Sequence, residues 1–190
     1  MVSKPTLVIV SPALAAANNG NWRTASRWAR FLGDRFHVDV RPGWSPAESR
    51  PRCMIALHAR RSAGALETFA EACPNHGRIL VLTGTDLYGD LAVDAWARRS
   101  LDLATHLVVL QDAAPAELEA RHRRKCRVIY QSAPARSPRA SNARTFDVIF
   151  VGHMRPEKDP MTPMRAVLRL PTRSTVRLTC IGEALDAAYA

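Results

Sequence analysis

The segment 151–160, VGHMRPEKDP, carries three candidate anion donors within six positions: His153, Arg155 and Lys158. It follows an apolar run that is typical of a buried strand, and it precedes a segment with helical spacing. Open α/β sheets bind ligands in such loops, at the carboxyl ends of their strands. Gly152 would let a ligand approach the backbone, and the free N–H groups of the next helix favour negative charge. The segment therefore predicts a phosphate site.

Each of these side chains also has an alternative role. Lys158 is one of only three lysines in the chain, and a lysine supplies a mobile point charge that suits a diphosphate leaving group. At the start of a helix it is otherwise an ordinary surface residue. His153 either donates to the same phosphate or acts elsewhere, and Arg155 either binds the ligand or lies in solvent.

A second group of candidates follows the predicted strand 53–57 and consists of His58, Arg60 and Arg61. Three cationic or hydrogen-bonding side chains next to a helix start would form a cradle for an anionic substrate. A basic helix terminus in water is the other interpretation. We select His58 as a candidate catalytic residue and the two arginines as candidate substrate-binding residues.

The loop after the predicted strand 79–82 carries a third group, Gly84, Thr85 and Asp86. Asp86 would hold a substrate hydroxyl, act as a general base, or cap the next helix. We select it as a candidate catalytic residue, with the two preceding residues as candidate substrate contacts.

The loop after the first predicted strand carries two more candidate substrate contacts, Gly20 and Asn21. They either approach a ligand or form a plain turn followed by a helix N-cap at Asn21.

Apolar runs alternate with segments of helical spacing along residues 1–130. Strands are predicted at 6–10, 37–40, 53–57, 79–82, 107–110 and 128–130. Helices are predicted at 22–32, 63–72, 93–103 and 114–123. This alternation predicts a complete, doubly wound parallel α/β sheet of Rossmann type.

Residues 131–145 are rich in Pro, Ser, Ala and Arg, and predict a linker. A second α/β domain, 146–190, then begins with strands at 146–151 and 176–181 and a helix at 161–170. One and a half βαβ units neither close a sheet nor cover both of its faces, so we expect this domain to be incomplete.

Composition narrows the classes of protein to consider. The 47% apolar fraction argues against disorder, and no apolar run is long enough to predict a membrane span or, given Pro5 and Pro12, a signal peptide. The formal charge is +10, and the basic residues are 24 Arg and only 3 Lys. This excess of arginine favours the codon bias of a GC-rich genome, together with a local anion site, over a nucleic-acid-binding surface as the source of the charge. The four cysteines form no C-x-x-C pair, so we expect reduced thiols, no metal site, no cofactor and a cytoplasmic location.

The loop V-G-x-x-x-x-x-K at 151–158 resembles the donor-binding loop of GT-B glycosyltransferases of the family-4 type. The strings GNWRTASRWARFL, IALHARRSA, LTGTDLY, RRSLDLATHLVVLQ, VIYQSA and VGHMRPEKDP resemble a bacterial subgroup of that family, the selenosugar synthases of selenoneine biosynthesis. His153 stands where the family has an arginine, and Trp22 and Arg23 differ from the expected arginine and small aliphatic residue. The chain also ends before the helix that carries the family's two donor-binding glutamates.

The resemblance implies a GT-B architecture in which the first domain binds the acceptor and the second binds a UDP-sugar. It implies metal-independent transfer, in the cleft between the domains, from a UDP-N-acetylhexosamine to an anionic acceptor such as selenophosphate, giving a 1-seleno-sugar. The residues that would bind the donor diphosphate are Gly152, His153, Arg155 and Lys158.

The sequence leaves two alternative functions open. A chain with an acceptor domain but no competent donor site would be a non-catalytic binding protein. A nucleic-acid-binding module would use basic runs such as 121–125, RHRRK, but these lack the interleaved aromatic residues that stack on bases. A solvated helix end is the simpler interpretation of that run.

Overall fold

The computed structural model describes residues 3–17, 19–47, 50–137 and 144–184. The chain divides into two compact units, Met1–Ala133 and Pro134–Ala190, which are described separately below as unit 1 and unit 2.

Unit 1 is built on a six-stranded, all-parallel sheet with the strand order β2-β1-β3-β4-β5-β6. The strands are β1 (Thr6–Val10), β2 (His37–Arg41), β3 (Cys53–Leu57), β4 (Gly77–Val81), β5 (His106–Val109) and β6 (Cys126–Val128). Parallel strands need crossover connections, and the helices supply them. The sheet and its helices form a Rossmann-like α/β fold, as the alternating pattern predicts.

The helices of unit 1 cover the two faces of this sheet. They are α1 (Gly20–Leu32), α2 (Ala63–Ala72), the short α3 (Leu91–Val93), α4 (Ala95–Leu103) and α5 (Ala120–Arg123). A π-helical turn, Asp86–Asp90, precedes α3, and a 3₁₀ turn, Ala114–Glu117, precedes α5.

The core lies in two apolar clusters, one on each side of the sheet. Leu66 and Phe69 of α2 pack with α4 residues in the larger cluster, whereas Ala25 of α1 belongs to the other. Alternate residues of β1 enter opposite clusters, because successive side chains of a strand point to opposite faces. Each fully buried Leu or Phe contributes about 1.5–3 kcal/mol, so both faces stabilise the fold.

Several predicted elements differ from the structure, and β4 begins two residues before its predicted start at residue 79. The N-cap of α1 is Asn19 and not Asn21, because the Asn19 side chain accepts from the N–H groups of the first turn. The predicted helix 93–103 begins only at Ala95, since Asp94 caps it and the residues before it form separate turns. The predicted helix 114–123 is interrupted at Leu118, which is extended. β6 begins and ends two residues before the predicted strand 128–130, so that the two share only Val128.

Unit 2 contains a parallel two-stranded sheet of β7 (Phe146–Val151) and β8 (Val176–Ile181), connected through α6 (Met161–Leu168). Phe146, Ile149 and Val151 of β7 are more than half exposed. The predicted linker, 131–145, has no regular secondary structure where it is described, and residues 138–143 lie outside the described ranges. Among the described residues of both units, no helix is long and apolar enough to cross a membrane.

Candidate functional site

Asp86 lies at the carboxyl edge of the unit 1 sheet, in the loop after β4, and it is fully buried. Its Oδ1 atom accepts hydrogen bonds from the backbone N–H groups of Thr83 and Gly84, at 2.8 and 3.0 Å. Its Oδ2 atom accepts from the N–H of Ala59, in the loop after β3, at 2.8 Å. The carboxylate therefore joins two neighbouring strand-end loops. This geometry favours a positioning role over proton transfer, and it also excludes capping of the next helix, because the donors lie before Asp86.

His58 is the first residue after β3 and has a left-handed backbone, with φ of 76°. Such a conformation costs about 1–3 kcal/mol for a residue other than glycine and is concentrated at functional sites. The imidazole is only 3% exposed. Its Nδ1 atom accepts from the backbone N–H of Arg61 at 3.4 Å, and its Nε2 atom lies 3.4 Å from Oγ1 of Thr85. Both ring nitrogens therefore have partners, and the histidine holds neighbouring groups in place.

The electrostatic surroundings of His58 favour its neutral form. Burial is the main cause and lowers the pKa of the imidazole. The charge of Asp86 raises this pKa and that of Arg61 lowers it. Asp90 raises it and Arg60 lowers it by smaller amounts. A neutral imidazole whose Nδ1 accepts a hydrogen bond carries its proton on Nε2. The Nε2–H group then points toward the threonine hydroxyl and the Asp90 carboxylate.

Asp90 completes this cluster, which we call the β3–β4 edge: His58, Arg60, Thr85 and Asp90. The Oδ2 atom of Asp90 lies 3.7 Å from Nε2 of His58 and 3.6 Å from Nε of Arg60. The sequence analysis did not select Asp90. Its spacing of four from Asp86 was the available signal, since residues four apart share a face of a helical turn.

The other two candidates of this edge occupy different positions. Arg61 contributes its backbone N–H to His58. Gly84 has a φ of 113°, which favours glycine, and no atom lies within 4 Å of the place where a Cβ would stand. It lines a cavity of about 220 Å³ at the ends of β4 and β5, together with Leu82, Thr83, Leu87, Tyr88, Leu110, Gln111 and Ala114.

Gly20 and Asn21 lie in the first turn of α1, beyond β1. The N–H of Asn21 donates to Oδ1 of Asn19 at 3.1 Å, and the N–H of Trp22 donates to the same atom at 3.2 Å. The cap therefore uses two of the N–H groups that a ligand would need at this helix end. No atom lies within 4 Å of a Cβ placed on Gly20, so the space beside this turn is open.

In unit 2, the candidate donor residues lie in the loop after β7. The stem of Lys158 passes close to Gly152, since its Cγ atom is 3.7 Å from the position of a Cβ on that glycine. Lys158 is exposed, and it ends a 3₁₀ turn, Pro156–Lys158, that begins directly after Arg155. The loop thus brings together the lysine and the glycine that the sequence analysis singled out.

His153 contacts the loop after β8. Its Nδ1 atom accepts from the backbone N–H of Glu183 at 3.3 Å, which leaves Nε2–H as the donor of the neutral imidazole. The two loops approach closely at Gly182, where a Cβ would lie 1.9 Å from the carbonyl oxygen of Gly152. Only glycine fits there. The sequence analysis missed this residue, whose signal was a glycine at the end of a strand.

The basic run 121–125 differs from the predicted solvated helix end. His122 is buried and its Nε2 atom lies 2.9 Å from Oδ1 of Asp102. This hydrogen bond is the main cause that lowers the pKa of the Asp102 carboxyl. The Nζ atom of Lys125 donates to the carbonyl oxygens of Leu101 and Ala104, both at 2.7 Å, and so caps the end of α4. Part of the run therefore stabilises the fold.

No protein-family model matches the chain, and no curated protein sequence matches it closely enough to indicate a relationship. Within the described residues, no three His, Cys, Asp or Glu side chains are grouped closely enough to hold a metal ion. Each unit therefore has a candidate site that is defined by its own geometry: the β3–β4 edge in unit 1 and, separately, the Gly152–Lys158 loop in unit 2.

Proposed function

We propose that this protein is a GT-B glycosyltransferase of the family-4 type that transfers a sugar from a UDP-sugar to a small anionic acceptor. Selenophosphate is the acceptor, and UDP-N-acetylhexosamine the donor, that the resemblance of the sequence implies. Unit 1 binds the acceptor and unit 2 binds the donor diphosphate.

The observation that carries the proposal is the β3–β4 edge. His58, Arg60 and Thr85 come from two different loops and meet at the carboxyl ends of parallel strands. Ligands of open α/β sheets bind at such ends. The strained backbone and the burial of His58 are difficult to explain by stability alone, because strain at a strand end costs free energy.

The loop after β7 supports the donor half of the proposal. Transfer breaks the bond between the anomeric carbon and the diphosphate, and negative charge accumulates on the departing oxygen. Lys158 supplies a positive charge, and the Nε2–H of His153 supplies a neutral donor where the family has an arginine. The bond electrons leave with UDP, and the nucleophilic atom of the acceptor forms the new bond to the anomeric carbon.

The proposal is tested by measuring UDP release from UDP-N-acetylglucosamine, with and without selenophosphate. We expect release that depends on the acceptor. The Lys158→Ala variant should weaken donor binding by about 10- to 100-fold, because hydrogen bonds to charged groups contribute about 1.5–3 kcal/mol. Arg165→Ala, which removes an exposed positive charge from α6, is the matched control. Normal donor kinetics in Lys158→Ala would exclude the role of the lysine.

A second function, non-catalytic binding of a small anion, is favoured if only the unit 1 site is competent. Calorimetry of the 190-residue chain with UDP-N-acetylglucosamine separates the two, because a binding protein of this kind gives no heat with the donor. Salt-dependent binding to random-sequence DNA would instead indicate a nucleic-acid-binding module.

A further inference from the structure

We propose that Asp90 is the ligand-contacting carboxylate of the β3–β4 edge, and that it selects an anionic ligand that also carries a hydroxyl or amino group. This inference rests on the acceptor site of the proposed function. Among small anionic acceptors it favours those that carry a hydroxyl or amino group, in place of the selenophosphate that the resemblance implies.

Two neighbours orient the Asp90 carboxylate but do not occupy all of its hydrogen-bond acceptor positions. Its Oδ2 atom faces Nε2 of His58 at 3.7 Å and Nε of Arg60 at 3.6 Å, and both distances exceed that of a direct hydrogen bond. A carboxylate has about four lone-pair positions. The group is thus held in place and keeps the capacity to accept a hydrogen bond from a ligand.

The other acid of this edge is not available for such a contact. Asp86 is fully buried, and its two oxygens accept from three backbone N–H groups. The side chain of Asp90 is 19% exposed, so solvent and a small ligand reach it. Thr85 places its hydroxyl beside the same imidazole nitrogen that faces Asp90.

The charges around Asp90 favour a ligand of mixed character. Arg60 is half exposed and attracts an anion, but a bare dianion beside it also meets the like charge of Asp90. A ligand that also presents a hydroxyl or ammonium group to the carboxylate offsets this repulsion with a hydrogen bond. The site therefore discriminates between anions that differ only in a neighbouring donor group.

The test compares two phosphate esters, glycerol 3-phosphate and n-propyl phosphate, by NMR titration of the purified 190-residue chain at pH 8. Both are dianions at this pH, since the second phosphate pKa is about 6, and they differ only in two hydroxyl groups. We expect wild-type protein to bind glycerol 3-phosphate at least about tenfold more tightly. In Asp90→Asn the preference should fall below about threefold, because the hydrogen bond from a ligand hydroxyl to the charged carboxylate is lost, whereas removal of the like charge strengthens binding of both dianions by a similar factor.

Two variants control the experiment. Arg60→Gln should weaken both esters by a similar factor and keep their ratio, because the arginine recognises the charge that they share. Asp94→Asn, at the N-cap of α4, should change neither affinity. Equal binding of the two esters by wild type, no binding of either, or an unchanged ratio in Asp90→Asn overturns the proposal. If the protein prefers glycerol 3-phosphate but releases no UDP, the role of Asp90 stands and glycosyl transfer is excluded. If it releases UDP but shows no preference between the esters, glycosyl transfer stands and the role of Asp90 is excluded.

Discussion

The Oδ2 atom of Asp86 accepts a hydrogen bond from the backbone N–H of Ala59 at 2.8 Å, across 27 positions of sequence. This contact joins the loop after β3 to the loop after β4, and it sets the geometry of the β3–β4 edge. Three of the five predictions below follow from contacts of this kind, in which one side chain holds backbone groups in position, and a fourth follows from the close approach of two backbones at Gly182. The remaining one concerns donor binding.

Asp86→Asn should lower the free energy of unfolding of unit 1 by about 2–4 kcal/mol, because the amide NH₂ would face buried N–H donors that need an acceptor. Urea unfolding followed by tryptophan fluorescence measures this, since all four tryptophans lie in unit 1. The same substitution at Asp94, the half-buried N-cap of α4, should cost only a few tenths of a kcal/mol, since Asn caps helices well. Equal costs at the two positions would refute the role of Asp86.

The protonation of His58 should make the stability of unit 1 depend on pH. Burial lowers its pKa in the folded state below the unfolded value of about 6.5, so the unfolded chain binds the proton first as the pH falls. Stability is therefore lost as the pH drops through and below about 6.5. His58→Asn should remove this slope between pH 7.5 and 5.5, while Asn tolerates the left-handed backbone. Denaturant midpoints at both pH values measure it, and an unchanged slope in the variant would contradict the assignment.

Gly182→Ala should disrupt the loops of unit 2, because its Cβ would overlap the carbonyl group of Gly152. Amide NMR spectra of unit 2 residues should change widely, while tryptophan fluorescence from unit 1 stays the same. Gly152→Ala is the matched comparison, since a Cβ there meets other atoms only at ordinary contact distances of 3.6 Å or more. That variant should fold and should weaken UDP-sugar binding, and a folded Gly182→Ala would argue against the close approach.

His153→Arg should strengthen binding of UDP-N-acetylglucosamine by about tenfold, because a guanidinium adds positive charge and bidentate geometry at a diphosphate. Calorimetry measures the change. Arg173→His, which exchanges the same two residue types at an exposed position before β8, should leave the affinity unchanged. Weaker binding by His153→Arg would indicate that the neutral Nε2–H donor has a role that arginine cannot replace.

Lys125→Met should destabilise unit 1 by about 1–3 kcal/mol, because the capping hydrogen bonds to the carbonyl oxygens of Leu101 and Ala104 are lost. Arg124→Met removes an adjacent exposed charge and should change stability by no more than about 0.5 kcal/mol. Urea unfolding compares the two. If the variants lose the same stability, the contacts of Lys125 do not stabilise the end of α4.

The regular elements follow closely from local sequence. β1, β3, β7, β8 and α2 have the predicted bounds, because runs of five or six residues that are mainly apolar, and a ten-residue segment with helical spacing, leave few alternatives. The π-helical turn and the interrupted helix at Leu118 were not predicted, since both depend on local backbone geometry that hydrophobic spacing does not encode.

The site was predictable only in part. The loops were identified because polar residues follow apolar strands, and the structure brings His58, Arg60 and Thr85 together. The roles within the loops depend on contacts between distant residues. Asp86 meets an N–H group 27 positions away, and Asp90 meets a histidine 32 positions before it, so their difference in burial is not visible in the sequence.

The backbone partners of Asp86 also have a consequence for how this site can change during evolution or engineering. An N–H group is supplied by every amino acid except proline. The bond from position 83 therefore survives a change of that side chain, whereas position 59 is restricted because Ala59 is fully buried in the larger apolar cluster, and position 86 needs its carboxylate. New ligand specificity can be explored at exposed positions of these loops such as position 60, which is half exposed, while the architecture depends on retaining one aspartate.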